Sequence, residues 1–114
     1  MSLSSHVLDS TLGAPARGIS VRWEKQVDDA WQQVAQAMTD DDGRVAQWLT
    51  QSGVEPLTTG VHRLVFGTGD YFSARDVRTF YPEVVVVFEV VDDAAHHHVP
   101  LLLSPFAYST YRGS

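Results

Sequence analysis

Short segments in which apolar and polar side chains alternate recur along this chain, and this period of two constrains its fold more than any other sequence feature. In residues 18–27, Ile19, Val21, Trp23 and Val27 share one parity and polar side chains occupy most of the other. Such alternation is typical of a strand with one buried face. Further strands are predicted at residues 4–9, 61–66, 84–91, 96–103 and 106–111, with turn residues between most of them.

The segment 84–91 differs from the other predicted strands because both of its faces are apolar. Valines fill both parities, and Glu89 is the only charged side chain in the segment. In an antiparallel sandwich one face of a strand packs inward and the other normally meets water. A second apolar face therefore predicts a covering element or, as we favour, an interface between subunits.

Helical spacing occurs at two places. Trp31, Val34, Ala35 and Met38 repeat at intervals of three and four residues, and this pattern alone favours a helix over residues 31–38. Residues 70–77 predict two turns of helix capped by Asp70. Counted over the chain, about seven or eight short strands and one short helix favour an all-β sandwich with Greek-key connections.

Length and composition exclude several classes of protein. A chain of 114 residues is one domain, spanning 1–114. Eight Lys and Arg against fourteen Asp and Glu leave no surplus of cations for nucleic acid or an anionic membrane. The absence of Cys excludes thiolate nucleophiles and Cys-ligated zinc. No signal-peptide pattern and no stretch of ~20 apolar residues occur, so we expect a cytoplasmic protein.

Five histidines are the main candidates for chemistry, since an imidazole with its ordinary pKa near ~6.5 exchanges protons at neutral pH. His96, His97 and His98 are consecutive, so on a strand His96 and His98 face one way and His97 the other. A zinc pair of His96 and His98 with a third ligand such as His6 is an alternative, but no spacing in the chain matches a known zinc site.

The run 39–44 (TDDDGR) predicts a tight turn, because Asp42-Gly43 tolerates the positive φ angles of such turns. A calcium loop is the competing interpretation, but it needs oxygen ligands at alternating positions, and Arg44 puts a cation among them. On the residues alone, Arg44 is an exposed loop cation.

Five blocks of the sequence resemble the transthyretin-like 5-hydroxyisourate hydrolases. The resemblance runs in register from residue 3 to residue 114. The terminal Tyr-Arg-Gly-Ser resembles the sequence motif that distinguishes these hydrolases from the hormone-carrying transthyretins. The blocks are 3–9 (LSSHVLD), 39–44 (TDDDGR), 80–84 (FYPEV), 96–105 (HHHVPLLLSP) and 111–114 (YRGS).

The resemblance implies a transthyretin-like, all-β Greek-key sandwich of about eight strands in two sheets, with one short helix. In that fold residues 31–38 become a strand. The resemblance also implies a homotetramer, a dimer of dimers with active sites at the dimer–dimer interface. Such an assembly would cover the outer face of segment 84–91.

The implied activity is hydrolysis of 5-hydroxyisourate to 2-oxo-4-hydroxy-4-carboxy-5-ureidoimidazoline in urate degradation, with water as second substrate and without cofactor or metal. By match to the family motifs, His6, Arg44, His98 and Ser114 are expected to be catalytic, and Tyr111, with His6 and Arg44, to contact the substrate. The two imidazoles would activate water, and Arg44 would stabilise charge developing on oxygen. Ser114 would orient the water or a histidine.

Two alternatives to this hydrolase remain open. A non-enzymatic transthyretin-like carrier would bind a small hydrophobic ligand between its dimers, and a zinc-dependent amidohydrolase would lose activity with a chelator. The sequence departs from the family pattern at His97, where Tyr is usual, and at Ala107, where Gly is common. Neither is a catalytic position of the family.

Overall fold

The computed structural model describes residues 3–50 and 57–114, which form two five-stranded β-sheets around one hydrophobic core. The order is β10-β9-β1-β2 in the first sheet, with β5 also paired to β1, and β6-β4-β3-β7-β8 in the second. The elements are β1 (Leu3–Asp9), β2 (Ala14–Pro15), β3 (Ser20–Val27), β4 (Ala30–Met38), β5 (Arg44–Val45), β6 (Leu49–Thr50), β7 (Gly60–Phe66), α1 (Thr68–Ser73), β8 (Val84–Val90), β9 (His97–Ser104) and β10 (Ala107–Thr110).

This architecture confirms the all-β sandwich of two sheets with one short helix. The strands of the described part outnumber the eight expected because three of them, β2, β5 and β6, are pairings of only two residues. Within these residues, no helix is long and apolar enough to cross a membrane.

The core lies between the two sheets, where the inward parity of each long strand is filled by apolar side chains. Trp23 on β3, Leu64 and Phe66 on β7 and Leu101 on β9 are all fully buried, as their alternation predicts. Val27 shares the parity of Trp23 in the sequence but is exposed at the end of its strand.

The helix predicted over residues 31–38 is wrong, and the family resemblance is correct, because these residues form β4. The strand pairs with β3 along eight residue pairs, and the register shifts where Trp23 faces Ala35 and Glu24 faces Gln33. This bulge inserts Val34 as an extra residue, so Val34 and Ala35 are both buried although they are neighbours. Two adjacent buried residues in one strand imitate the spacing of a helix.

The helix predicted at residues 70–77 exists but is shorter, spanning Thr68–Ser73. Asp70 lies in its first turn and is not its cap, which is the backbone of Gly67. The helix ends early because Asp76 adopts a positive φ of 55°. The amide of Val77 then donates to the carbonyl of Phe72, 2.9 Å away, as in a Schellman turn.

No element of the described residues covers the outer face of β8, so of the two covers predicted for residues 84–91 the subunit interface stays a prediction. Val84, Val86 and Val90 point into the core, whereas the side chain of Val87 is 58% exposed and that of Val91, just after the strand, is 77% exposed. The strand also lies at the edge of its sheet.

Candidate active site

The candidate site lies on the outer face of the first sheet, around β1. Strand β1 pairs parallel with β9 along its whole length, so that Ser4 is opposite His98. On its other side β1 pairs antiparallel with β5, where His6 is opposite Arg44. Ser5 and Val7 face the core, so Ser4 and His6 share the outward parity. Three strands distant in sequence thus bring His6, Arg44 and His98 to one face.

The turn at residues 39–44 places Arg44, and its structure confirms the predicted tight turn. The Asp40 carboxylate accepts hydrogen bonds from the amides of Asp42, at 2.9 Å, and Arg44, at 3.0 Å. Gly43 has a φ of 73°, and a Cβ there would overlap the carbonyl oxygen of Val7. The turn is therefore packed directly on β1.

His6 is oriented by this turn. Its Nε2 lies 2.9 Å from the carbonyl oxygen of Asp42. Because a carbonyl can only accept, Nε2 carries the proton, and Nδ1 is left with the lone pair when the ring is neutral. The Asp-rich run thus acts through a backbone oxygen, not through carboxylate ligands.

His98 is oriented by Ser4, whose Oγ lies 2.8 Å from its Nδ1. Its Nε2 is therefore the nitrogen available to a substrate or water. Burial lowers the pKa of His98, and the charges of His96, His6 and Arg44 lower it further. At neutral pH the ring is consequently neutral and able to accept a proton.

The chain's final residues pack on this imidazole. The Gly113 amide donates a 2.9 Å hydrogen bond to the His98 carbonyl, and the two residues form an isolated bridge. A Cβ on Gly113 would overlap Cδ2 of the His98 ring. Tyr111 and Arg112 line, with His98, a cavity of about 210 Å³. The end of the chain is therefore anchored beside the candidate base.

The structure brings together most of the predicted site residues, although they do not line one cavity. His98 and Tyr111 border the 210 Å³ cavity, whereas Arg44 borders a separate depression of about 360 Å³ near Asp40. Ser114 follows Gly113 and is exposed. In the single chain the described part of the site is an open face.

Sequence reasoning missed two residues that hold His98 in place, Ser4 and Gly113. Ser4 could have been found, since it precedes His6 by two positions and therefore shares its parity. The need for Gly113 follows only from its contact with the ring. The predicted parity of the histidine run is confirmed, since His97 is buried while the rings of His96 and His98 stack with centroids 6.5 Å apart.

Metal binding finds no support in residues 3–50 and 57–114. No group of three His, Asp or Glu side chains there is arranged to hold an ion. The postulated zinc set of His96, His98 and His6 is thus not assembled in this part of the chain, where His6 bonds to the turn and His98 to Ser4.

The structure consists of two β-sheets with mostly antiparallel pairing and one short helix, and one sheet face carries two imidazoles and a guanidinium. Together these features define a transthyretin-like sandwich protein. The chain belongs to the HIUase/Transthyretin family, whose sequence model matches residues 3–113.

Its relatives include hydrolases and a transthyretin. The chain is 45% identical over 113 residues to a probable 5-hydroxyisourate hydrolase of Caenorhabditis elegans, covering 99% of this chain and 82% of that protein. The 5-hydroxyisourate hydrolase of Klebsiella pneumoniae superposes with a TM-score of 0.82 at 32% identity, with 100% of both chains covered. Sea bream transthyretin, solved with thyroxine, superposes with a TM-score of 0.88 at 29% identity over 99% of this chain and 95% of that one.

Proposed function

We propose that this chain hydrolyses 5-hydroxyisourate to 2-oxo-4-hydroxy-4-carboxy-5-ureidoimidazoline, a step of urate degradation. The observation that carries the proposal is the pairing of β1 with β5 and β9, which places His6, Arg44 and His98 on one face. The identity of 45% to a probable hydrolase of the same reaction supports it.

In this mechanism His98 takes the proton of the attacking water on Nε2. Two features of the ring suit it to this role: its Nδ1 is engaged by Ser4, and its lowered pKa keeps it neutral at physiological pH. With its Nε2 bound to the carbonyl oxygen of Asp42, the His6 ring offers Nδ1 as a second acceptor for the same water. General-base assistance of this kind is worth about 10²–10⁴ in rate.

The remaining residues bind the substrate and stabilise its charge. Arg44 donates hydrogen bonds to the carbonyl oxygen on which charge develops during water attack, and a guanidinium offers these donors in a fixed plane. Tyr111 contacts the substrate beside His98, and Ser114 orients the water or an imidazole. Water and imidazole suffice for this hydrolysis, so the proposed mechanism uses no cofactor or metal.

We further propose that the protein is a homotetramer, a dimer of dimers with the active sites at the dimer–dimer interface. Both sheets end in an open edge strand, β8 in one and β10 in the other, and open edges pair readily with a second copy. Large apolar side chains are exposed there, including Val87 at 58% and Tyr108 at 39%. The open face described above would become enclosed by a partner copy. The cytoplasmic location stays a prediction.

The test is the ultraviolet decay of 5-hydroxyisourate, generated in place from urate by uricase, with and without the protein. We expect acceleration that survives a chelator and falls by about 10²–10⁴ in His98→Ala, the range for a lost general base. Near-full turnover by a folded His98→Ala protein would refute the assignment of His98.

Arg44→Lys tests the guanidinium with the charge retained. We expect kcat to fall about 10²-fold or more, because an ammonium cannot reproduce a lost planar donor at the oxyanion. Arg78→Lys is the matched control at an exposed position away from the site, and it should turn over like the wild type. Equal activity of both variants would contradict the role of Arg44.

The carrier alternative predicts the opposite outcome of the same assay. A folded tetramer without effect on 5-hydroxyisourate decay would favour it, with thyroxine as a probe ligand because sea bream transthyretin was solved with that molecule. Two imidazoles and a guanidinium suit a polar ring better than a hydrophobic ligand, which supports the hydrolase.

A further inference from the structure

One hydroxyl group touches two imidazoles at the candidate site. Ser4 Oγ lies 2.8 Å from Nδ1 of His98 and 3.1 Å from Nε2 of His96. The two rings are nearly parallel, with an interplanar angle of 15°. His96 has no role in the proposed hydrolysis, and Ser4 only holds Nδ1 of His98.

The single hydroxyl proton of Ser4 links the protonation states of the His96 and His98 rings. A serine hydroxyl donates one hydrogen bond and accepts others. Ser4 therefore donates to only one of the two nitrogens, and the other nitrogen must carry a proton and donate to Ser4. A lone pair on either nitrogen therefore requires a proton on the other.

We propose that Ser4 and His96 are positioning residues that set which nitrogen of His98 accepts the proton of water. When His96 Nε2 is unprotonated, Ser4 donates to it and accepts the Nδ1 proton of His98, so the lone pair of neutral His98 is on Nε2. When His96 carries a proton on Nε2, Ser4 donates to His98 Nδ1, and neutral His98 carries its proton on Nε2. The inference rests on the proposed function of His98 as a base at Nε2.

Ser4, His96 and His98 together form a switch, which is open to solvent because His96 is exposed while His98 is half-buried. His96 therefore exchanges protons directly with water and transmits its state inward through Ser4. The other charged or titratable groups around His98 are His6 on β1, Arg44 on β5, Glu89 on β8, His97 on β9, and Tyr111 and Arg112 in the tail. These groups are unchanged in the variants below, so differences between variants report on His96 and Ser4.

The first test compares kcat, KM and the pH profile of Ser4→Ala, Ser4→Thr and the wild type. We expect Ser4→Ala to lose about 10- to 100-fold in kcat, the worth of one hydrogen bond to a charged group, with little change in KM. Ser4→Thr keeps the hydroxyl and should restore most of the rate. The matched control is Ser5→Ala, which removes the 2.7 Å hydrogen bond from Ser5 to the Val99 carbonyl on the core side of the same strand pair. It should lose stability and keep the wild-type kcat.

His96→Ala tests the switch itself. When neutral His96 carries its proton on Nδ1 and accepts from Ser4 at Nε2, two protonations, of His96 and of His98, remove the base as pH falls, whereas the variant retains only the second. On the acid side of the profile, the slope of log kcat against pH should decrease by about one, since one proton fewer is taken up. An acid limb of unchanged slope would overturn the coupling.

The second test reads the tautomer of His98 without substrate, by long-range ¹H–¹⁵N correlation spectra over a pH titration. Neutral His98 should carry its proton on Nδ1 at the alkaline end, and this preference should be lost in Ser4→Ala. An unchanged tautomer in Ser4→Ala would overturn the inference. If the wild type did not accelerate 5-hydroxyisourate decay, the proposed function would fail, while these spectra would still decide whether Ser4 sets the tautomer.

Discussion

Gly113→Ala should disable the active site through a single added methyl group. The new Cβ would stand 3.1 Å from Cγ and 3.3 Å from Cβ of His98, and closer still to Cδ2. Carbon atoms prefer separations of about 3.5–4.0 Å, so the ring and the tail must separate by about 1 Å. A displacement of that size at a catalytic group costs about 10²-fold, and we expect this loss in kcat.

The assay is the initial rate of 5-hydroxyisourate decay at matched concentrations of folded protein. Gly13→Ala is the control, since no atom lies within 4 Å of its added Cβ although its φ of 65° disfavours alanine. That variant should lose about 1 kcal/mol of unfolding free energy and keep its turnover. A Gly113→Ala protein with wild-type kcat would refute the argument that the tail fixes His98.

Three further predictions concern stability and assembly. Burial lowers the pKa of His62, so the unfolded chain binds a proton that the folded chain does not, and the free energy of unfolding in urea should fall as pH drops below about 6.5. His62→Gln should reduce this dependence and leave the part that comes from His98, whose pKa is also lowered by burial. The Tyr71 hydroxyl donates to a carboxylate oxygen of buried Asp9 at 2.7 Å. Burial and Asp9 raise the pKa of Tyr71 to about 12, so the hydroxyl keeps its proton and remains a donor. Tyr71→Phe should cost about 1.5–3 kcal/mol, or about 6–12 °C in Tm, whereas Tyr81→Phe, whose hydroxyl bonds to no described residue, should change Tm little. Val87→Lys puts a charge on the exposed face of β8 and should lower the molar mass measured by analytical ultracentrifugation; an unchanged mass would exclude that face from the interface.

Much of the fold was predictable because most strands alternate without interruption. In β7 the inward parity of His62, Leu64 and Phe66 is the same in the sequence and in the structure. Prediction failed at β4, where a bulge makes two neighbours face the core, and the partner strand that causes the bulge is not visible in local sequence. The helix predicted at 70–77 lies at Thr68–Ser73, because it starts two residues before Asp70 and its end depends on a positive φ at Asp76.

The site was less predictable from the residues than from the family resemblance. Composition and spacing left Arg44 an exposed cation, and only its pairing opposite His6 gives it a partner on the candidate face. The resemblance named His6 and His98 but not the hydroxyl of Ser4 between the histidines. Hydrogen bonds that join residues 92 and 94 positions apart depend on strand pairing, which no local pattern encodes.

The parallel ladder of β1 and β9 has a consequence for how this protein would lose activity. Ser4 and His6 both belong to β1, and every backbone bond that aligns them with His98 belongs to that ladder. Detachment of this one strand would therefore separate the groups of the site while the second sheet remained intact. Because β1 is paired on both sides and buries Leu3, Ser5 and Val7, it should open only near global unfolding. Inactivation in denaturant should therefore coincide with global unfolding and with hydrogen exchange at the amides of β1, and the stability of the whole fold is the stability that matters for turnover.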